Sequence, residues 1–374
     1  MGASPSLRSN NKKMKVAVIG AGNVGVAIST DLSINGHDVS LIKTSERKSE
    51  IYNRILQNDN RVYLKENNIY TETAIKSVSK NLSKVLDAEV VIVTIQSTYH
   101  EELIKRISQY LNSKQIVLVI CSYMSSFYFS KYCLELPMIA EATGPYLEGR
   151  VELNDKPNEV VFRIGCRLTR SPLSVFHEHR KDECMKKLQS LYNGFSADYS
   201  IIESALLNPN MVLHTVGAIM SIPRIEFSDG NFCMYREAYS RKNKSTLNIM
   251  NRLDREKMFV LDALGGRKIN IYDAGGFLGK DPLKSFFKYS ESSDRAISPT
   301  SIHSRYITED VSQGLVLLEN IADVLGFMPP ITSSLIYFAS TALGYNFRKY
   351  GRTLDKLCAR QYIEHLKYQR WEKC

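Results

Sequence analysis

The chain has 374 residues, 44% of them hydrophobic, with 49 Lys and Arg against 39 Asp and Glu and a net charge of +10. That length accommodates two ordinary domains, and the composition is globular. No apolar run approaches the ~20 residues that span a bilayer, and the basic residues are scattered without a nucleic-acid motif. Both observations speak against membrane and nucleic-acid partners and for anionic small molecules.

In chain order, residues 1–13 read as a polar, disordered extension with no secretory character. Val16 to Ile19 is a short apolar run, expected as a buried parallel strand, and it leads into Gly20-Ala21-Gly22-Asn23-Val24-Gly25. Small apolar residues follow at helical spacing, then Gly36, then a second strand over His37 to Ile42. Strand, glycine turn, helix and strand form the context of a dinucleotide fingerprint. Gly20 would make the turn, Gly22 would let the backbone approach a pyrophosphate, and Gly25 would let helix and strand pack closely. The residue that selects the nucleotide is expected about 18–20 positions further on, as an acid on the ribose. Lys43 stands there, 18 residues after Gly25, followed by Thr44, Ser45, Glu46 and Arg47. Lys43, Thr44, Ser45 and Arg47 suit a 2′-phosphate, so NADP(H) is favoured over NAD(H), with Glu46 the alternative ribose ligand.

A helix is expected over 46–57, Asn-rich turns and a short strand at 71–77 within 58–82, and a buried strand at 88–95 with a helix at 101–111 behind it. Further strands are expected at 115–121, 136–142 and 159–165, a helix at 182–191 and a last strand at 197–202. Ligands of open α/β sheets bind at the strands' carboxyl ends, so 96–100, 122–126 and 142–146 are candidate contacts. From Ser204 the pattern turns helical, at 203–221, 244–264, 309–325, 331–343 and 353–369. The fold class is therefore an α/β Rossmann-type domain at 14–203 followed by an all-α domain at 204–374, with chemistry expected between them. The seven cysteines are dispersed without C-x-x-C pairs. They read as reduced thiols of a cytoplasmic protein, with no metal site, and a homodimer is left open.

Two motifs stand out in the second half. Asn208 can cap a helix that begins at Pro209 and carries His214. Arg305 and Asp310 are five residues apart in Ser304-Arg-Tyr-Ile-Thr-Glu-Asp-Val311. On one regular helix they would diverge by about 140°. Thr308 is therefore expected to cap a helix, with Asp310 in its first turn and Arg305 in the preceding loop.

The glycine fingerprint, Asn208-Pro-Asn-x-x-x-His214, Arg305-Tyr-x-x-Glu-Asp-Val-x-x-Gly-Leu315, Pro329-Pro-Ile331 and Gly351-Arg-Thr-Leu-Asp-Lys-Leu357 occur in that order. Together with His100, Glu141, Pro145-Tyr146, Arg150 and Leu253-Asp-Arg-Glu256, they resemble the octopine/opine dehydrogenase family. The resemblance implies NAD(P)H-dependent reductive condensation of an α-amino acid with an α-keto acid. It implies His214 as general acid/base, Asp310 as the group orienting its imidazole, Arg305 as carboxylate clamp, and His100, Glu141 and Tyr146 near substrate. Hydride reduction of a carbonyl or imine needs a proton source poised near neutrality, and a keto acid suits a fork-shaped cation.

Four positions depart from the family pattern. Thr215 and Ser312 replace prolines, Gln96-Ser97 replaces Pro-Ala, and Cys121-Ser-Tyr-Met-Ser-Ser126 replaces a glycine-bearing turn. They bear on the choice of substrate more than on the reaction type. One rival is a ketopantoate-reductase-like enzyme without an amine partner, which would rely on a helical-domain lysine. Another is a non-catalytic NAD(P)-binding sensor.

Overall fold

In the computed structural model, residues 13–153, 158–277, 279–292 and 298–371 are described. The expected N-terminal extension lies, apart from Lys13, outside them. The strands are β1 (Lys15–Ile19), β2 (Asp38–Ile42), β3 (Arg61–Glu66), β4 (Ile69–Ala74), β5 (Ser77–Ser79) and β6 (Val90–Val93). They continue with β7 (Ile116–Ile120), β8 (Met138–Ala142), β9 (Leu147–Leu153), β10 (Val160–Arg167), β11 (Ser171–Val175) and β12 (Phe195–Ser196). The chain divides into two compact units, Met1–Ile201 and Ile202–Cys374.

The first unit is built on an eight-stranded sheet of order β12-β11-β8-β7-β6-β1-β2-β5. From β5 to β8 all neighbours are parallel. Every residue of β6 and β7 is buried, so these strands are continuous apolar runs, as two covered faces require. β1 pairs with β2 on one side and β6 on the other, so the strand order reverses there. Such a reversal opens a crevice at the strands' carboxyl ends.

The polar stretch after residue 58 folds into more than turns. β3 and β4 form a hairpin through Asn67 and Asn68, both at positive φ, the chemistry of a two-residue turn. The hairpin joins a second sheet of order β4-β3-β10-β9. The strand expected at 159–165 is β10 and belongs to this sheet, paired parallel to β3 and antiparallel to β9. A buried polar contact ties this sheet to α1 (Asn23–Ile34), the helix after the glycine turn. Asp31, 4% exposed, lies 2.9 Å from Arg167 Nη1 and accepts from the Tyr146 hydroxyl at 3.2 Å. Burial pushes the Asp31 carboxyl above its ordinary value, while Arg167 pulls the other way.

The strand expected at 197–202 is corrected. Pairing with β11 lasts only through Phe195 and Ser196, and Ile201–Leu206 is helical. Two consecutive isoleucines look strand-like, but Glu203 is claimed by a tertiary contact with the backbone N–H and Nε of Arg267, at 3.0 and 2.7 Å. The second unit is helical from there. Its longer helices are Asn210–Met220, Lys244–Ala263, Val316–Leu325, Pro330–Leu343 and Arg360–Trp371. Glu256 accepts from the N–H groups of Ile331 and Thr332 at 2.7 and 2.8 Å, satisfying the start of the Pro330–Leu343 helix. Among the described residues, no single helix is long and apolar enough to cross a membrane.

Residues 305–325 form one run whose middle is widened. Arg305–Glu309 is α-helical, Asp310–Leu315 is a π-turn, and Val316–Leu325 is α-helical again. A π-turn leaves a carbonyl out of the regular ladder. Ser312 supplies it, accepting from the Arg352 N–H at 2.7 Å. Gly351 permits that approach, since a Cβ there would lie 2.6 Å from Ser312 O and 2.5 Å from Phe347 O.

Two stability tests follow from these packings. A Cβ on Gly25 would sit 1.6 Å from the Gly20 carbonyl oxygen, whereas one on Gly22 meets nothing within 4 Å. Urea unfolding should therefore show Gly25→Ala losing roughly 3 kcal/mol or more, and Gly22→Ala staying within about 0.5 kcal/mol of the parent. Gly351→Ala should cost about 1–3 kcal/mol, read as a lower unfolding midpoint.

Candidate active site

The first part of the site is the turn after β1. Gly20 takes φ +122°, a conformation open to glycine, and its N–H donates to the Ile42 carbonyl at 2.8 Å. Thr94, just past β6, donates its hydroxyl to the Ile19 carbonyl at 3.0 Å and so joins the two strand ends. Gly22 is the N-cap of α1, no side chain caps the helix, and its first turn carries no acid. The first-turn N–H groups therefore face an open edge where the helix dipole favours an anion. Open space at Gly22 and close packing at Gly25 fit a dinucleotide pyrophosphate. Asn23 points elsewhere, its Oδ1 accepting from the Val151 N–H at 3.1 Å. Val24 packs against the core of this unit.

At the tip of β2 the residues expected to hold a phosphate separate. Lys43 is 6% exposed, with its ammonium bonded to the carbonyl and hydroxyl of Ser45 and resting 5.8 Å from the Tyr52 ring centroid. It thereby organises the loop rather than facing solvent. Thr44 is half-buried, while Ser45 and Arg47 are exposed. Glu46, the alternative ribose ligand, is ion-paired with Lys80 at 2.5 Å.

The ends of β6, β7 and β8 share a buried polar network. His100, fully buried, meets Ser125 Oγ at 2.7 Å through Nδ1 and the Ile95 carbonyl at 3.2 Å through Nε2. Glu141, at the end of β8 and also fully buried, accepts from Ser122 Oγ at 2.8 Å and the Ser126 N–H at 2.6 Å. The loop between them is strained: Cys121, Tyr123 and Met124 all take φ between +48° and +64°. Such residues cost of order 1–3 kcal/mol each and persist where the surroundings enforce them. Nothing in the composition of 121–126 announces this. Tyr146, expected near substrate, has its hydroxyl buried against Asp31 of α1.

The second unit carries the titratable pair. The helix carrying His214 starts at Asn210 with Pro209 at its N-cap, one residue later than expected, and Asn208 Oδ1 accepts from the Asn210 N–H at 3.0 Å just ahead of it. His214 is 4% exposed and Asp310 3% exposed, with Nδ1 and Oδ2 2.8 Å apart. Burial lowers the His214 pKa from its ordinary value, Asp310 opposes that shift, and the charge of Arg305 adds to it. Tyr306 stacks face to face on the imidazole, with centroids 3.7 Å apart and planes 4° from parallel. The cap of the helix after this motif is corrected to Ser304. Thr308 lies inside that helix, its hydroxyl donating to the Ser304 carbonyl at 3.0 Å, and Arg305 is the first helical residue. Arg305, its side chain 46% exposed, lies 3.4 Å from Glu309. Thus His214 and Asp310 come together, Arg305 reaches His214 through its charge, and Tyr306 is the neighbour that sequence reasoning missed.

Both proline departures have a local explanation. Thr215 donates its hydroxyl to the Met211 carbonyl at 2.6 Å, and Ser312 donates to the Thr308 carbonyl at 2.6 Å. Each hydroxyl satisfies the carbonyl four residues back, the same carbonyl against which a proline ring would clash.

Both units are similar to known proteins. Residues 198–343 match the alpha-helical domain of NAD/NADP octopine/nopaline dehydrogenase, and residues 15–123 match the N-terminus of NAD-dependent glycerol-3-phosphate dehydrogenase. Vitopine synthase of Allorhizobium ampelinum is 22% identical over 354 residues, covering 92% of this chain and 95% of that protein. A structure of octopine dehydrogenase with NADH and L-arginine superposes with a TM-score of 0.69 at 17% identity, over 89% of this chain and 90% of that one. A ketopantoate reductase from Ralstonia eutropha shares the fold at a TM-score of 0.59 and 18% identity, over 90% of this chain and 99% of its own. With a nucleotide-binding turn ahead of a helical domain that matches that of octopine/nopaline dehydrogenase, this chain is an NAD(P)-dependent oxidoreductase similar to the opine dehydrogenases.

Proposed function

We propose that the chain joins an α-amino acid to an α-keto acid and reduces the resulting imine, with His214 as general acid/base. The observation that carries this reading is the buried contact of 2.8 Å between His214 Nδ1 and Asp310, beside Arg305. Asp310 accepts the Nδ1 proton and so fixes the tautomer, leaving Nε2 to exchange a proton with substrate. Arg305 binds the keto-acid carboxylate through its planar fork. The amine adds to the keto carbon, and His214 protonates the oxygen that departs as water. Bound at the glycine turn, the reduced nicotinamide would supply the hydride. His100 and Glu141 hold the strand-end loop that shapes the substrate side, and Tyr146 is assigned no contact.

NADP(H) is the proposed preference. Glu46 is committed to Lys80, and exposed Arg47 is the cation at the β2 tip suited to a 2′-phosphate, on a loop that Lys43 braces. The keto-acid reductase reading calls for an available lysine in the helical unit. Lys257, buried there at 1% exposure, is ion-paired with Asp254 at 2.6 Å and so is not available for that role.

The direct test screens amino acids against pyruvate and other keto acids with NADPH and identifies products by mass. Oxidation of NADPH by a keto acid alone, unchanged by any amine, would overturn the condensation. His214→Gln should lower kcat by at least about 100-fold while leaving NADPH affinity within a factor of about two. Arg47→Ala should weaken NADPH roughly tenfold and leave NADH nearly unchanged, in line with the loss of one charged hydrogen bond. Equal losses for the two nucleotides would remove the phosphate assignment.

A further inference from the structure

The face-to-face contact between His214 and Tyr306 is not required by either chain segment. Tyr306 could point to solvent from the first turn of its helix, yet its ring lies 3.7 Å from the imidazole centroid and 4° from parallel. Tyr235 approaches the same imidazole edge-on, with centroids 6.4 Å apart and planes at 72°. Asp310 holds Nδ1 at 2.8 Å. One ring face, one edge and one nitrogen are thus all constrained, and Nε2 is the ring nitrogen that Asp310 does not hold.

The electron-rich face of a phenol ring attracts a cation, and the attraction grows when the pair is desolvated. A neutral imidazole gains far less from the same ring. We propose that Tyr306 is a positioning residue for His214, selecting the protonated imidazolium by cation–π stacking and fixing the ring plane from which Nε2 delivers its proton. The proposal rests on the assignment of His214 as the acid/base group and deepens it. It gives Tyr306 a specific task, because burial and the nearby Arg305 charge both work against the imidazolium. Asp310 supplies the opposing charge in the ring plane, and Tyr306 supplies a second, orthogonal stabilisation above it.

The other ionisable groups on elements packed around the His214 helix are committed elsewhere. On the Lys244–Ala263 helix, Asp254 pairs with Lys257, Glu256 caps the Pro330–Leu343 helix, and Arg252 and Arg255 are exposed. Arg224 pairs with Glu237 at 3.1 Å, and Glu226 and Arg236 are exposed. Tyr239 donates its hydroxyl to the Leu213 carbonyl, Glu309 lies against Arg305, and the Pro330–Leu343 helix carries no charged residue.

The test follows the His214 imidazole by NMR titration of the full chain, with His214→Gln used to assign the signal. Position 306 carries Tyr, Phe, Leu and a series of ring-fluorinated phenylalanines, which keep the shape of the ring while draining its face of electron density. Phe should retain the parent titration midpoint. Leu and the most fluorinated ring should lower it by about half a unit to one unit, with intermediate fluorination graded between. Should the Leu variant fail to fold, the fluorinated series alone decides the matter. A flat series, or a midpoint that rises with fluorination, would overturn the proposal. In the catalytic assay the pH profile should move with the same series and kcat should change more than KM. If the midpoint follows the ring while His214→Gln keeps full turnover, the stacking stands and the acid/base assignment of His214 fails.

Discussion

The second unit depends on bringing one carboxylate to one imidazole out of water. His214 and Asp310 are 96 residues apart in sequence and 2.8 Å apart in space. Leaving either alone in that environment would strand a buried polar or charged group, at a cost of several kcal/mol. The surroundings are accordingly specified from several directions. Asn208 sets the start of the His214 helix, Tyr239 ties the Leu213 carbonyl, and Tyr306 covers one face of the ring.

The π-turn at Asp310–Leu315 is the backbone counterpart of that contact. It widens the helix where Asp310 leaves it, and its displaced Ser312 carbonyl is satisfied by the Arg352 N–H. The Gly351-Arg352 pair, remote in sequence from the candidate catalytic residues, thus acts through backbone geometry. In the first unit, a buried Asp31 bonded to Arg167 and Tyr146 holds the glycine helix against the second sheet. In both units a buried polar contact orients an element that carries candidate site residues.

Reading the sequence went furthest where local physics dominates. The glycine turn, the apolar strands at Val90–Val93 and Ile116–Ile120, and the helix at Lys244–Ala263 were all legible from spacing alone. Errors came where a distant partner overrides local preference. Ile201 and Ile202 look like strand residues until Glu203 meets Arg267, and a strand at Val160–Arg167 does not declare which sheet it joins. Lys43, expected to suit a 2′-phosphate, is folded onto Ser45.

The sequence by itself determined most of the element order and the glycine turn, because these are written in residue type and short spacing, and it marked His214, Asp310 and Arg305 as candidates through a family resemblance. Only the tertiary structure decided the π-turn, the Tyr306 stack, the strained loop at Cys121–Met124 and the burial of the Tyr146 hydroxyl against Asp31. These depend on which groups lose water together. Pairing across many residues in a low-dielectric interior has no counterpart in the periodicity of a chain.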